Sequence, residues 1–383
     1  MSASFALYVH VPWCRRICPY CDFNVYARRR PPEEAYTAAL VAEIAGRGAA
    51  APWAGRRVRS VYLGGGTPSL FSPAAVGRIL EAAAAVFGLV PGAEVTIEAN
   101  PGTVDRRRLA GYRAAGVNRL SLGAQSFDPA ALRTLGRDHA PADTVAAVAA
   151  ARAAGFANVS LDLIYAVPGT TVVDWKRDLA RAVALGPEHI SAYSLTYEEG
   201  TPLEAWRARG RVCPVDEESE AAMAETTAAA LAAAGYERYE ISSWARPGFA
   251  SRHNTSYWDG SDYLGVGAGA HSFAAHPVPG CRWVNLRRPA EWQAAVWARG
   301  SGVAHEEQLT PAKARGEFVL AGLRRLAGVD LLEFERRFAS PLAACFPQLA
   351  ALRADGLVED TGRRLRLTAR GLLFADTVAA TFV

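Results

Sequence analysis

The sequence predicts an α/β fold: a parallel sheet of six strands with helices packed outside it, followed by a small winged-helix-like α+β unit. Three observations carry this. From residue 5 to about 195, short apolar runs alternate with alanine-rich helical stretches, the strands separate apolar from polar side chains by face, and the chain ends in a helix–strand–turn–strand–helix order. The expected strands are Phe5–Val11, Arg59–Leu63, Glu94–Ala99, Asn118–Leu122, Asn158–Ile164 and His189–Ser194. Between them the expected helices are Glu33–Gly46, Pro73–Phe87, Asp105–Ala115, Pro141–Ala154 and Val173–Leu185. Strand-then-helix units in series are the signature of parallel pairing.

The faces say more than the alternation. Side chains alternate along a strand, so Tyr8 and His10 oppose Leu7, Val9 and Val11, and Thr96 and Glu98 oppose Val95 and Ile97. Likewise Ser160, Asp162 and Ile164 oppose Val159, Leu161 and Leu163. One side of the sheet is apolar and takes the helices. The other carries carboxylates that a dry core rejects, which favours a barrel interior opening onto a ligand, with its functional groups at the C-terminal strand ends. After residue 200 come a helix (Asp216–Ala234), a strand (Tyr236–Trp244) and a glycine- and aromatic-rich segment to about 285. A boundary near residue 305 divides the chain into 1–305, the core with its extension, and 306–383.

Composition is that of a soluble globular protein: half hydrophobic, with 42 Lys and Arg against 38 Asp and Glu. The net charge of +4 is read as spread along the chain, without a dense basic block, so no nucleic-acid partner is expected. No run is long and apolar enough to span a bilayer and the N-terminus lacks a signal-peptide pattern, so a cytoplasmic location is expected. Of the six cysteines, three fall within eight residues, while Cys213, Cys281 and Cys345 are scattered and expected to be buried apolar residues. That distribution suits a reducing compartment rather than a disulfide framework.

Cys14-x3-Cys18-x2-Cys21, in the loop after the first strand, is the strongest signal. Thiolates suit iron, and three of them hold three corners of a cubane while the fourth iron stays open. An open iron is what S-adenosylmethionine (SAM) chelates before one-electron cleavage of its sulfonium. Tyr20, between the second and third cysteines, is placed to shield the cluster. A structural zinc with His10 as fourth ligand is the competing reading. Gly64-Gly65-Gly66-Thr67-Pro68 follows the second strand without P-loop or dinucleotide spacing, so it is read as close backbone approach to a ligand.

Together with Ile97-Glu98-Ala99-Asn100-Pro101, Gly123-Ala124-Gln125-Ser126-Phe127, Leu135-Gly136-Arg137 and Leu161-Asp162-Leu163-Ile164, these motifs occur in an order that resembles the coproporphyrinogen-oxidase-like branch of the radical SAM superfamily. The resemblance runs over nearly the whole chain. It implies a radical SAM partial (β/α)6 barrel with a small C-terminal winged-helix-like domain, a [4Fe–4S] cluster on Cys14, Cys18 and Cys21, and SAM. It also implies that Gly65, Gly66 and Thr67 meet the methionine moiety, that Glu98 and Arg137 meet the amino acid or sulfonium, that Gln125 and Asp162 hold the ribose, and that Tyr8 lies near the cluster.

Two departures separate the chain from the oxidase itself. Phe23 stands where that enzyme has a further cysteine, and only seven residues precede Tyr8. Cys21-Asp22-Phe23-Asn24 is similar instead to the heme chaperones of the branch, the HemW type. His253-Asn254-Thr255-Ser256-Tyr257-Trp258 matches their HNxxYW motif, which implies heme contact by His253, Tyr257 and Trp258, with His271 as a second candidate ligand. The implied partners are heme, apo-hemoproteins of the respiratory chain and an electron donor. The alternative is a true radical SAM enzyme acting on a porphyrinogen.

Overall fold

A computed structural model describes residues 4–383. Its six expected strands form, in sequence order, β1 (Ser4–Val11), β2 (Arg57–Gly65), β3 (Leu89–Ala99), β4 (Arg119–Gln125), β5 (Val159–Tyr165) and β6 (His189–Ser194). Each pairs in parallel with the next. The helices between them are α1 (Glu33–Gly48), α2 (Pro73–Phe87), α3 (Arg106–Ala114), α4 (Pro141–Ala153) and α5 (Val172–Ala184). Local chemistry fixes their starts: Ser72 accepts from Ala75 N ahead of Pro73, Asp105 accepts from Arg108 N, and Thr171 and Asp174 form a capping box. A further helix, α6 (Glu217–Ala233), is capped by Asp216.

The face assignment holds. Leu7, Val9, Val61, Leu63, Ile97, Leu120, Leu122, Leu161 and Leu163 are buried in the main core. The opposite face keeps Glu98, Ser121, Asp162 and Ser191 along one cavity.

The sheet extends beyond the six strands on both sides. The expected strand 236–244 is two short antiparallel strands, β7 (Glu237–Glu240) and β8 (Ser243–Ala245), with β8 pairing antiparallel to β6. On the other flank β9 (Tyr263–Val266) pairs in parallel with β1, and β10 (His271–Ala274), β11 (Cys281–Asn285) and β12 (Val303–Gln308) continue antiparallel. The result is a twelve-stranded sheet whose edges, β12 and β7, do not pair with each other. It is a partial barrel. The glycine- and aromatic-rich segment thus supplies three short strands, joined by turns and preceded by a short helix, α7 (Arg252–Trp258), that carries His253.

Residue 305 falls within β12, and a second core gathers after that strand around Val319, Phe334, Leu349, Leu365 and Val378. The expected C-terminal strands appear as β14 (Val358–Asp360) and β15 (Arg364–Leu367), joined by β13 (Val329–Asp330) in a three-stranded antiparallel sheet. Among the remaining cysteines Cys281 is buried, but Cys213 is exposed and Cys345 half-buried, so the expectation of three buried thiols holds for one. No helix among the described residues is long and apolar enough to cross a membrane.

Candidate functional site: a polar cavity at the strand ends

Cys14, Cys18 and Cys21 sit in a loop held to the barrel at both ends. Trp13–Cys14 pairs in parallel with Tyr26–Ala27, and Asn24 Nδ2 donates to Ala268 O and Arg287 O. All three thiols line one cavity of about 500 Å³, within the range of sites for small molecules. Gly65, Gly66, Thr67, Glu98, Gln125, Arg137 and Asp162 line the same cavity. The two sets of residues expected to hold cluster and SAM therefore converge.

The glycine run has a reason other than the expected one. A Cβ on Gly65 would stand 2.4 Å from the His10 ring, and one on Gly66 would stand 2.7 Å from Trp13 O. Gly65 also has φ +103°, which favours glycine. These positions are glycine because β1 and the start of the cysteine loop press on them. Thr67 Oγ1 donates to Cys14 Sγ (3.4 Å), so its side chain serves the cysteine loop.

Glu98 accepts from Tyr62 Oη (2.7 Å) and Gly65 N (3.1 Å), and burial pushes its carboxyl up to about 7. Asp162 accepts from Ser121 Oγ (2.9 Å), and burial raises its pKa too. Gln125 takes φ 62° at the end of β4, a left-handed conformation that costs a non-glycine residue about 1–3 kcal/mol and aims its amide at the cavity. Arg137 is fixed by Asn100 Oδ1 (2.6 Å) and Gly123 O (2.9 Å) and lies 3.5 Å from Cys18 Sγ.

This donor set fits the expected groups. Nε of Arg137 and Nε of Arg119 are buried in the cavity wall without an acceptor, which suits a ligand bearing a carboxylate. Two carboxylates nearby suit an ammonium, a sulfonium or a diol. Among the described residues no three His, Cys, Asp or Glu side chains converge on one metal ion; a cubane puts each thiolate on a separate iron and needs no such convergence. His10 is unavailable as a zinc ligand, since Nδ1 bonds Tyr8 Oη and Nε2 bonds Asn24 O, both at 2.9 Å.

A titration follows from Glu98. The groups facing it are Tyr62 on β2, Asp162 on β5 and Arg119 on β4. Below about pH 7 its carboxyl is protonated and offers a cation nothing; above, it is ionised. SAM affinity measured by equilibrium dialysis is expected to rise by about tenfold from pH 6 to pH 8. In Glu98→Gln that rise should vanish; a variant keeping the full slope would assign it to another group.

Four expectations need correction. Tyr8 does not line the cavity: its hydroxyl is bound to His10, and its ring stacks beneath Tyr62, which reaches the cavity in its place. His253 offers no free nitrogen. It is fully buried, with Nδ1 3.0 Å from Ser60 Oγ and Nε2 2.9 Å from Tyr257 Oη. Trp258 packs under Arg324 (4.6 Å), whereas Tyr257 lines a separate cavity. Nor is the positive charge spread evenly: Arg15, Arg16, Arg28, Arg29 and Arg30 are all exposed, clustered on and just after the cysteine loop.

Sequence reasoning overlooked Arg119 and Asn100. Arg119 is buried and lines the cavity floor; its inward alternation with Ser121 on β4 was the available signal. Asn100 bridges Arg137 and Thr67, a role visible only in three dimensions.

The Radical SAM superfamily model matches residues 8–182, and the HemN C-terminal domain model matches residues 309–374. The chain is 39% identical over 382 residues to the protein named heme chaperone HemW of Mycobacterium tuberculosis, covering 99% of this chain and 95% of that one. With the heme chaperone HemW of Escherichia coli the identity is 34% over 380 residues, covering 99% and 98%. Among solved structures, coproporphyrinogen III oxidase (HemN) from Escherichia coli, a radical SAM enzyme, superimposes with a TM-score of 0.83 at 26% identity, covering 99% of this chain and 89% of that one.

Proposed function

This chain belongs to the HemW family of radical SAM proteins, and from that premise we propose that it is a heme chaperone, binding heme and passing it to apo-hemoproteins. The observation that carries the proposal is identity of 39% over 382 residues, nearly the full length, to a protein named for that role. Radical SAM membership implies a [4Fe–4S] cluster and SAM; that heme is the cargo and that hemoproteins of the respiratory chain receive it are this proposal's own content.

Cys14, Cys18 and Cys21 would hold the cluster, and Glu98, Arg137, Gln125 and Asp162 the SAM. Bound together, these groups supply one-electron cleavage of a sulfonium. The residues of the chain hold and orient. Arg137, anchored by Asn100 and Gly123, keeps a guanidinium against both the Cys18 sulfur and the ligand space. Exposed Phe23 and Ile17 beside the arginines of the cysteine loop suit a transient contact with an acidic electron carrier. Reduction of the reconstituted cluster by an acidic flavodoxin should therefore slow by about tenfold or more between 50 and 300 mM salt. A salt-independent rate would exclude that donor class.

The second reading, a porphyrinogen oxidase, is supported by the superposition on HemN. Phe23, in place of that enzyme's additional cysteine, speaks against it. The deciding experiment is an anaerobic hemin titration of the reconstituted protein, read by Soret absorbance. Saturation near one heme per chain is expected. Absence of binding, with turnover of coproporphyrinogen III in the presence of SAM and reductant, would replace the chaperone reading with the oxidase.

A further inference from the structure

An unassigned charge lies at the floor of the cluster cavity. Arg119 is the first residue of β4, only 1% exposed, and it lines that cavity. Its Nε has no hydrogen-bond partner, and its guanidinium enters no ion pair among the described residues. Arginine is not deprotonated in proteins, and a lone charge held away from water is costly. Something in the cavity must offset that cost. Arg137, anchored on Gly123 O beside Cys18, stands nearer the cysteines and is the better placed for a carboxylate that chelates the cluster. Arg119 starts four residues down β4 from Gly123 and needs another explanation.

The sheet register supplies one. Arg119 pairs with Thr96 of β3, and its next inward neighbour, Ser121, is level with Glu98 of β3 and Ser160 of β5. Glu98 is therefore one inward step away, about 7 Å along the sheet. Ser121 Oγ donates to Asp162, which brings the second acid to the same floor. Neither acid enters an ion pair among the described residues; their partners are Tyr62, Gly65, Ser121 and Ser160. The bases around them are neutral. His189 bonds Ser160 Oγ and Tyr239 Oη, both at 2.8 Å, and burial holds its pKa well below the usual range. His253 is closed in the same way by Ser60 and Tyr257. Tyr8 of β1, Tyr62 of β2 and Tyr257 of α7 face Glu98 with hydroxyls that burial keeps protonated, and Cys14 faces it from the cysteine loop. Tyr193 of β6 faces Asp162.

We propose that Arg119 is a positioning residue for these acids: its unpaired guanidinium keeps Glu98 and Asp162 ionised inside the barrel, so that they meet a sulfonium as carboxylates. The inference rests on the SAM site of the reading above and adds a residue to it. Distance is what makes the arrangement work. In direct contact the guanidinium would tie up one acid in a salt bridge and withdraw it from the ligand. One step below, it stabilises both and blocks neither. Burial raises the pKa of both carboxyls, and the charge of Arg119 opposes that rise at each. With a sulfonium bound, two negative charges face two positive ones and the floor is neutral.

The test compares the reconstituted full chain with Arg119→Gln, which keeps a donor but not the charge, and Arg119→Lys, which keeps the charge. SAM binding is followed by equilibrium dialysis across pH. The infrared band of the protonated carboxyl, assigned to Glu98 by its loss in Glu98→Gln, is followed in parallel. In Arg119→Gln that band should persist to about one pH unit higher than in the parent. SAM affinity at pH 7 should fall by about fivefold, and the loss should vanish by about pH 9, where the acids are ionised in both proteins. Arg119→Lys should restore the parent's pH profile. Thermal unfolding shows that each variant is folded, and Arg119→Met replaces Arg119→Gln if a buried amide unfolds the chain. A loss of equal size at every pH would make Arg119 a ligand contact or a purely structural group, and an unmoved carboxyl band would deny its charge any role; either overturns the inference. A parent that binds no SAM at any pH would instead overturn the SAM site, and the carboxyl band would still decide the role of Arg119.

Discussion

Cys18→Ser is expected to lose its cluster outright and keep its fold. Iron in the reconstituted protein should fall from about four atoms per chain to about zero, because a serine hydroxyl is a poor ligand for soft iron and two thiolates cannot retain a cubane. The thermal midpoint should barely move. Cys18 is half-exposed in a loop, its sulfur touched by Arg137 Nη1 at 3.5 Å, and its backbone contact, Cys21 N to Cys18 O at 3.1 Å, survives the substitution. Surface changes of this kind shift stability by about 0.5 kcal/mol or less. Iron analysis beside a melting curve checks both halves. Full iron content in the variant would refute the three-cysteine cluster. Zinc in place of iron in the parent would revive the zinc reading, with a fourth ligand other than His10.

The barrel was legible because its rules are local. Strand His189–Ser194 and helix Pro73–Phe87 match their expected bounds, since an apolar run and a Ser-Pro start are written in consecutive residues. The inward set Glu98 and Asp162 was readable from a period of two. The flank from 236 to 308 was legible only at its start, where one strand was expected over 236–244 and two short ones form. Its strands run four to six residues or fewer and carry polar side chains such as Glu237, Arg238, His305 and Glu306 on exposed edges, so apolar periodicity never rises above the surrounding turns.

The site divides in the same way. Cys14, Cys18 and Cys21 are close in sequence, and the strand end that presents them is predictable. His253 was expected to contact heme because the resemblance assigns that role to the motif, and a motif names residues without saying anything about depth. What closes it is Ser60, 193 positions away, and the Tyr62 ring stacked on it at 5.0 Å. Burial then holds its pKa down at about 3, so the ring stays neutral across the physiological range. Tyr8 was misplaced for a related reason. Alternation gave its face correctly, but the neighbouring strand's Tyr62, in register beside it, reaches the cavity first.

Glu43→Ala is expected to be the most damaging single change away from the cavity, at about 5 kcal/mol. Glu43 is fully buried on α1 and accepts four hydrogen bonds. Oε1 takes Gly302 N (2.8 Å) and Asn285 Nδ2 (3.0 Å); Oε2 takes Gly267 N (2.8 Å) and Trp292 Nε1 (3.0 Å). Truncation leaves all four donors in a dry interior, against a fully buried Trp292. Glu43→Gln should rescue it only in part, because an amide NH2 would face two donors where a carboxylate oxygen accepted both; about half the loss should remain. The damage should also reach the cysteine loop. Gly267 begins the turn whose Ala268 carbonyl accepts from Asn24 Nδ2, and Tyr36 Oη clamps the same turn by accepting from Ala268 N while donating to His10 O. At temperatures below the melt, then, Glu43→Gln should release iron faster than the parent. Denaturant unfolding measures the first effect and the time course of iron–sulfur absorbance the second; if iron is retained as in the parent while stability falls, the loop is anchored independently of Glu43.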